Sequence, residues 1–229
     1  MDEYKIKELI CDIGKRVYRN GFVAANDGNI TVKLSEDEYL TTPTGISKGY
    51  LTPEMIVKVN EKGKVLEGTY KPSSEVKVHL KVYEERKDVG AVVHAHPPFA
   101  TTLAVAHIPM DFYILPEAVC GLGAVPLVPY AQPSTQELAD GLVPYLQDYD
   151  AFLLENHGTV TVGTDLINAY YKTETLEYNA KIYYLTKLFG VQHELPLDEI
   201  QKLVNMARNG NSAGRNPGYI KFHTKEEEA

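Results

Sequence analysis

His94 and His96 stand one residue apart in Ala91-Val92-Val93-His94-Ala95-His96-Pro97-Pro98, at the end of a strand-like run. Strand side chains alternate between faces, so both imidazoles emerge on one side with α-carbons about 6.5 Å apart, close enough for two rings to converge on one cation. His157 closes another short apolar run, Phe152-Leu153-Leu154-Glu155-Asn156-His157-Gly158. Three neutral imidazoles and one carboxylate would hold a first-row divalent metal and leave room for a substrate.

A second cluster of chemistry lies in Lys71-Pro72-Ser73-Ser74-Glu75, just before a run of helical period. A helix start offers unpaired amides and partial positive charge, and two serine hydroxyls there make an anion cradle. Thr44-Gly45 and Gly28-Asn29 can add backbone amides and a side-chain donor. Glu75, on the first turn beside that cradle, is placed to be a metal ligand, a base, or both in turn. Taken alone, Ser73 is equally a plain helix cap. His79, one helical turn from Glu75, is expected to pack or to support the site rather than to ligate. Gly121-x-Gly123 lacks the third glycine of a nucleotide loop and reads as turn glycines. His107, His193 and His223 have no partner pattern.

In this combination, order and spacing the chain resembles the class II aldolase/adducin family, most closely its fuculose-phosphate aldolases, through Gly28-Asn29, Pro43-Thr44-Gly45, Ser73-Ser74-Glu75, His94-x-His96 and His157-Gly158. The resemblance runs to about Phe189. It implies a Zn2+ ion on His94, His96 and His157, with Glu75 completing the sphere and shuttling a proton. Manganese, cobalt or iron(II) suit the same donors. It also implies phosphate contacts from Asn29, Thr44, Gly45, Ser73 and Ser74, with Gly28 beside them. The fold implied is a three-layer α/β/α sandwich, and the assembly a cyclic homotetramer with active sites between subunits. Tyr113 matches a catalytic tyrosine that a neighbouring subunit contributes. The segment after it, Ile114 to Val119, departs from the fuculose enzymes, which makes Glu117 an alternative for that role.

The activity implied is cleavage of a ketose 1-phosphate to dihydroxyacetone phosphate and a short aldehyde. Ribulose-phosphate 4-epimerases share the metal and the bond-breaking step, but there an aspartate follows the serine pair. Dehydratases of methylthioribulose phosphate and decarboxylases of phosphorylated sugar acids share the histidine layout. An adducin-like binding module would lack the ligands, and all four candidates are present here.

The elements that must position these residues are legible as periodicity. Ile6, Leu9, Ile10, Ile13 and Val17 follow helical spacing and stop at Asn20-Gly21. Residues 29–34 and 39–42 alternate as strands, Thr52-Pro53-Glu54 opens a short helix, and Asn60-Glu61-Lys62-Gly63 turns a hairpin between 57–59 and 64–66. Helices are expected from Ser74 to about Arg86, Pro98 to His107, Thr135 to Leu146 and Asp165 to Phe189. A last helix should start at a capping box of Asp198 and Gln201 and reach about Arg208. Strands are expected at the His94 run, through a Gly/Pro-punctuated region from Tyr113 to Pro129, and on both sides of His157-Gly158. The pattern implies a mixed, largely antiparallel sheet with helices on both faces.

With 229 residues and no repeat or linker, one domain over 1–229 is expected, with a tail from about residue 210 that includes Tyr219. The net charge of −8 repels nucleic acid and anionic membranes. A phosphorylated substrate therefore needs a local site. The N-terminal residues read as an amphipathic helix rather than a signal sequence, and Cys11 and Cys120 as reduced thiols, so a cytoplasmic setting is expected.

Overall fold

The computed structural model describes residues 2–209, so Tyr219, His223 and the tail lie outside the described residues. The strands are β1 (Asn29–Lys33), β2 (Tyr39–Thr41), β3 (Val57–Val59), β4 (Val65–Glu67), β5 (Ala91–Ala95), β6 (Leu127–Val128), β7 (Ala151–Leu154) and β8 (Gly158–Gly163). They form one sheet in the order β4-β3-β2-β1-β5-β8-β7-β6. Neighbours are antiparallel except β6 and β7, which are parallel. The helices are α1 (Glu3–Arg19), α2 (Val76–Glu85), α3 (Pro98–Val105), α4 (Pro116–Gly121), α5 (Gln136–Leu146), α6 (Leu166–Leu188) and α7 (Leu197–Asn209).

Alternation along the central strands decides the layers. Val92, Phe152, Leu154, Val160 and Val162 point to one face and pack on Val78, Val82 and Tyr83 of α2 and Leu138, Leu142 and Leu146 of α5. Ile30, Val32, Ala91 and Val93 point to the other, against Ile10, Ile13 and Val17 of α1 and Leu166, Ala169 and Tyr170 of α6. Ala151 and Leu153 extend that second layer onto α3 and the far half of α6. A three-layer α/β/α sandwich results, as expected. Because β5 is covered on both faces, its five residues are all buried, which is why it reads as a nearly continuous apolar run.

Local chemistry fixes the element ends. Asp165 caps α6 by accepting from Asn168 N, and Thr135 caps α5 by accepting from Leu138 N. In the β3–β4 hairpin the Asn60 side chain accepts from Lys62 N and Lys64 N while Gly63 takes φ +74°.

Two expectations are corrected. Residues 113–129 are not mainly strand: Pro116 at a helix start and Glu117 in its first turn open α4, which buries Ala118 and Val119, and only Leu127–Val128 joins the sheet. Asp198 does not cap α7 but sits in its first turn, because the helix already begins at Leu197 with Glu199 N and Ile200 N bonded to Pro196 O.

Candidate metal centre and anion pocket

The site forms at one end of the sheet's central strands. His94 is the fourth residue of β5, paired with Asn29 on one side and Val160 on the other. His96 follows the strand and is held by its amide on Phe22 O at 2.8 Å. His157 stands at the β7–β8 turn, after Asn156 in the left-handed region at φ 53°. A side chain at Gly158 would put its Cβ 2.4 Å from His96 Cδ2 and 2.7 Å from Ala95 O. Only glycine lets the His96 ring lie against this turn.

One possible ligand atom from each of the three histidines lies within 4.8 Å of the others. His94 Nε2 is 3.1 Å from His96 Nε2 and 3.2 Å from Glu75 Oε2, and His157 Nε2 is 3.6 Å from Glu75 Oε1. His94 Nδ1 donates to Thr159 O at 2.8 Å, which leaves Nε2 with its lone pair in the neutral tautomer. Burial first, and then the charge of His94, push His96 down to about 3 and His157 to about 4, so both are neutral at pH 7. The 3.1 Å between His94 Nε2 and His96 Nε2 is close to the edge of about 3.3 Å of a tetrahedron with metal–nitrogen bonds of about 2.0 Å. Glu75 Oε1 is buried with no hydrogen-bond partner among the described residues. The donor set fits a divalent cation.

Glu75 precedes α2, its amide donating to Ser73 Oγ at 3.3 Å. Burial alone would raise its carboxyl, but in the metal-free protein the hydrogen bond and charge that His94 offers when protonated at Nε2, with the nearby His157 and His79, outweigh it and hold the group at about 2. Asn29 Nδ2 donates to Glu75 Oε2 at 3.1 Å and fixes that oxygen. Behind the cluster, fully buried His79 meets Thr31 Oγ1 at 2.9 Å, and Thr31 meets Tyr83 OH at 2.8 Å. His79 lies outside the three-imidazole cluster, in the supporting position expected of it.

Beside the three-histidine cluster opens a pocket of about 240 Å³ lined by all six expected phosphate positions, Gly28, Asn29, Thr44, Gly45, Ser73 and Ser74, together with Glu75, His96 and His157. Backbone bonds zip its two walls: Thr44 N to Lys71 O at 3.0 Å and Ser73 N to Thr42 O at 3.1 Å. Five further lining residues were not anticipated, Asn26, Asp27, Lys48, Pro133 and Ser134. Asp27 precedes the Gly28 turn, buried Lys48 lies beneath the Thr44-Gly45 turn, and Ser134, at φ 68°, sits 2.9 Å from Ser74 Oγ. Nothing in the sequence shows where the Pro133-Ser134 turn packs.

Tyr113 and Glu117 are not brought into this cluster within the chain. Tyr113 is 5% exposed and packs with Val119, Ile200 and Val204, where burial pushes its phenol above the usual range. Glu117 borders a separate apolar groove with Phe22, Pro98 and Phe99.

Comparison with known proteins agrees with this architecture. The chain is 35% identical over 202 residues to the 5-deoxy-D-ribulose 1-phosphate aldolase of Bacillus thuringiensis serovar kurstaki, covering 87% of this chain and 93% of the relative. It is 34% identical over 188 residues to the 3-oxo-tetronate 4-phosphate decarboxylase of Haemophilus influenzae, covering 80% and 89%. A solved L-fuculose 1-phosphate aldolase superposes with a TM-score of 0.80 at 32% identity over 89% of this chain and 96% of its own. The model of the class II aldolase and adducin N-terminal domain matches residues 8–184, and with that fold around a three-histidine cluster the chain belongs to the class II aldolase/adducin family.

Proposed function

We propose that this protein is a divalent-metal-dependent aldolase that cleaves a ketose 1-phosphate to dihydroxyacetone phosphate and a short aldehyde. The reading is carried by the cluster of His94, His96 and His157, with Glu75 close to His94 and His157, beside a pocket lined by Asn29, Thr44, Gly45, Ser73 and Ser74. His94, His96 and His157, with Glu75, would hold the metal, with zinc as the proposed native ion. When bound there, it supplies Lewis-acid stabilisation of the oxyanion that develops as the carbon–carbon bond breaks.

The chain's own residues do the rest. Ser73, Ser74, Thr44 and the amides near Gly28 and Gly45 seat the phosphate and fix the ketose along the pocket. Glu75, aimed by Asn29, moves the proton at C3: its carboxylate removes it in condensation, and its protonated form returns it to the three-carbon enediolate in cleavage. Asn29 therefore acts on the acid as well as on the anion. Tyr113 is proposed to exchange the C4 hydroxyl proton from a neighbouring subunit in a homotetramer, with Glu117 as the alternative group.

The decarboxylase relative at 34% identity favours one second reading, loss of CO2 from a phosphorylated 3-oxo acid through the same kind of enediolate. A single panel separates the two. Metal-reconstituted protein is incubated with ketose 1-phosphates, ketose 5-phosphates and a 3-oxo acid phosphate, and dihydroxyacetone phosphate, aldehyde and CO2 are measured. Aldehyde with dihydroxyacetone phosphate is the expected outcome. CO2 with dihydroxyacetone phosphate and no aldehyde assigns the decarboxylase, and a pentulose phosphate of inverted centre the epimerase.

A further inference from the structure

Among the residues lining the anion pocket, Lys48 is the only lysine or arginine. It is 1% exposed, at the start of the 3-10 turn Lys48–Tyr50. Its Nζ donates to Asn26 O at 2.9 Å and to Ile46 O at 2.6 Å. Those two carbonyls belong to the two separate turns that carry Gly28-Asn29 and Thr44-Gly45. One ammonium thus joins the two walls of the pocket.

We propose that Lys48 is a positioning and specificity residue for the substrate phosphate, tying the Asn26–Asn29 turn to the Pro43–Lys48 turn and supplying the cationic charge of the seat. Two of its three N–H groups are used in the tie, and Lys48 itself lines the pocket. A dianion entering an acidic protein needs a fixed positive charge close by, and a lysine already desolvated offers one without further dehydration. Burial lowers the Lys48 amine to about 8, opposed by the nearby Asp27 carboxylate. A bound phosphate would act in the same direction as Asp27 and hold the amine charged.

The inference rests on the phosphate-seat reading above, so the test separates the two. Inorganic phosphate binding is measured by calorimetry on metal-loaded wild type, Lys48→Met and Lys48→Arg, with KM and kcat on the substrate found in the panel. Wild type that does not bind phosphate removes the seat and this inference with it. With wild-type binding intact, the expected result is phosphate affinity about tenfold or more weaker in Lys48→Met. KM rises to match, kcat stays within about threefold, metal content is unchanged, and Lys48→Arg recovers most of the affinity. Equal phosphate affinity in wild type and Lys48→Met, or a Lys48→Arg no tighter than Lys48→Met, overturns the role of Lys48 and leaves the seat standing. Should Lys48→Met fail to fold, wild type with ε-13C-labelled lysines gives the answer directly. The resonance that titrates near pH 8 should move upward on adding phosphate, and an unmoved midpoint overturns the proposal.

Discussion

Glu75 is proposed to serve two tasks, since its oxygens approach both His94 and His157 and it lines the neighbouring pocket. Replacing it by glutamine keeps size and a metal-facing oxygen but removes the basic carboxylate. Glu75→Gln should therefore retain metal, measured by elemental analysis, while exchange of the C3 proton of dihydroxyacetone phosphate with deuterated solvent slows by about 10² to 10⁴. An unchanged exchange rate would take Glu75 out of the chemistry. Gly158 makes a steric prediction at the same scale. A methyl group there meets His96 Cδ2 at 2.4 Å and Ala95 O at 2.7 Å, and a backbone carbonyl cannot move aside as a flexible side chain can. In Gly158→Ala the His96 ring must shift, and metal affinity should fall by about 10–100-fold, comparable to losing a partner that orients a ligand. Gly121→Ala is the matched control, since a Cβ there meets nothing within 4 Å, and its metal affinity should equal that of wild type.

The elements that deliver these residues are tied together away from the site by a buried ion cluster. Asp150, just before β7, accepts from Arg86 at the end of α2 at 2.6 Å and from Lys172 of α6 at 2.7 Å. These contacts join both helical layers to the sheet. Asp150→Ala leaves two buried cations without that partner and should cost about 3–5 kcal/mol in urea unfolding. Metal content per folded molecule should be unaffected, because Arg86, Asp150 and Lys172 do not line the anion pocket. A loss below about 1 kcal/mol would mean that Asp88, which also binds Arg86, and water replace Asp150. None of the three showed itself in the sequence, since pairing across 64 and 22 residues leaves no local pattern. The same reason divides the rest of what could be read. Long helices such as α1 and α6, the alternating strands and the Asn60–Gly63 hairpin follow from local periodicity and turn chemistry. The segment from 113 to 129 misled because Tyr113 and Val119 face α7 around a helix of six residues, too short to show a period. At the site, histidines at strand ends and the Ser73-Ser74-Glu75 helix start carry their own local signal. Lys48 and Ser134 do not, as their roles arise from the packing of two loops.

At the scale of the whole chain, placing three imidazoles under the sandwich ties its stability to pH. His79, His96 and His157 are held at about 3, 3 and 4, chiefly by burial, against an ordinary value of 6.5. Between those values and 6.5 the unfolded chain binds more protons than the native one, so unfolding free energy rises with pH. The stabilisation is complete above about pH 6.5 and is lost as pH falls toward 3 to 4. Each imidazole contributes up to about 1.4 kcal/mol per pH unit within its window. Glu75 has the same sign at lower pH, because its carboxyl at about 2 lies below the ordinary 4.5. Its contribution is complete above about 4.5 and fades toward 2. Metal-free protein should therefore lose stability in urea titrations from pH 6.5 downward, well before ordinary carboxylates protonate, and His79→Gln should flatten part of that slope. Saturating divalent metal should raise the curve at pH 7 and steepen its acid limb, because protons then compete with the ion for the same nitrogens. Metal-free stability that stayed level from pH 7 to 5 would show that these imidazoles are not protected from protonation, and with it that the site is more open to water than the packing of α2 against β5 and β8 implies.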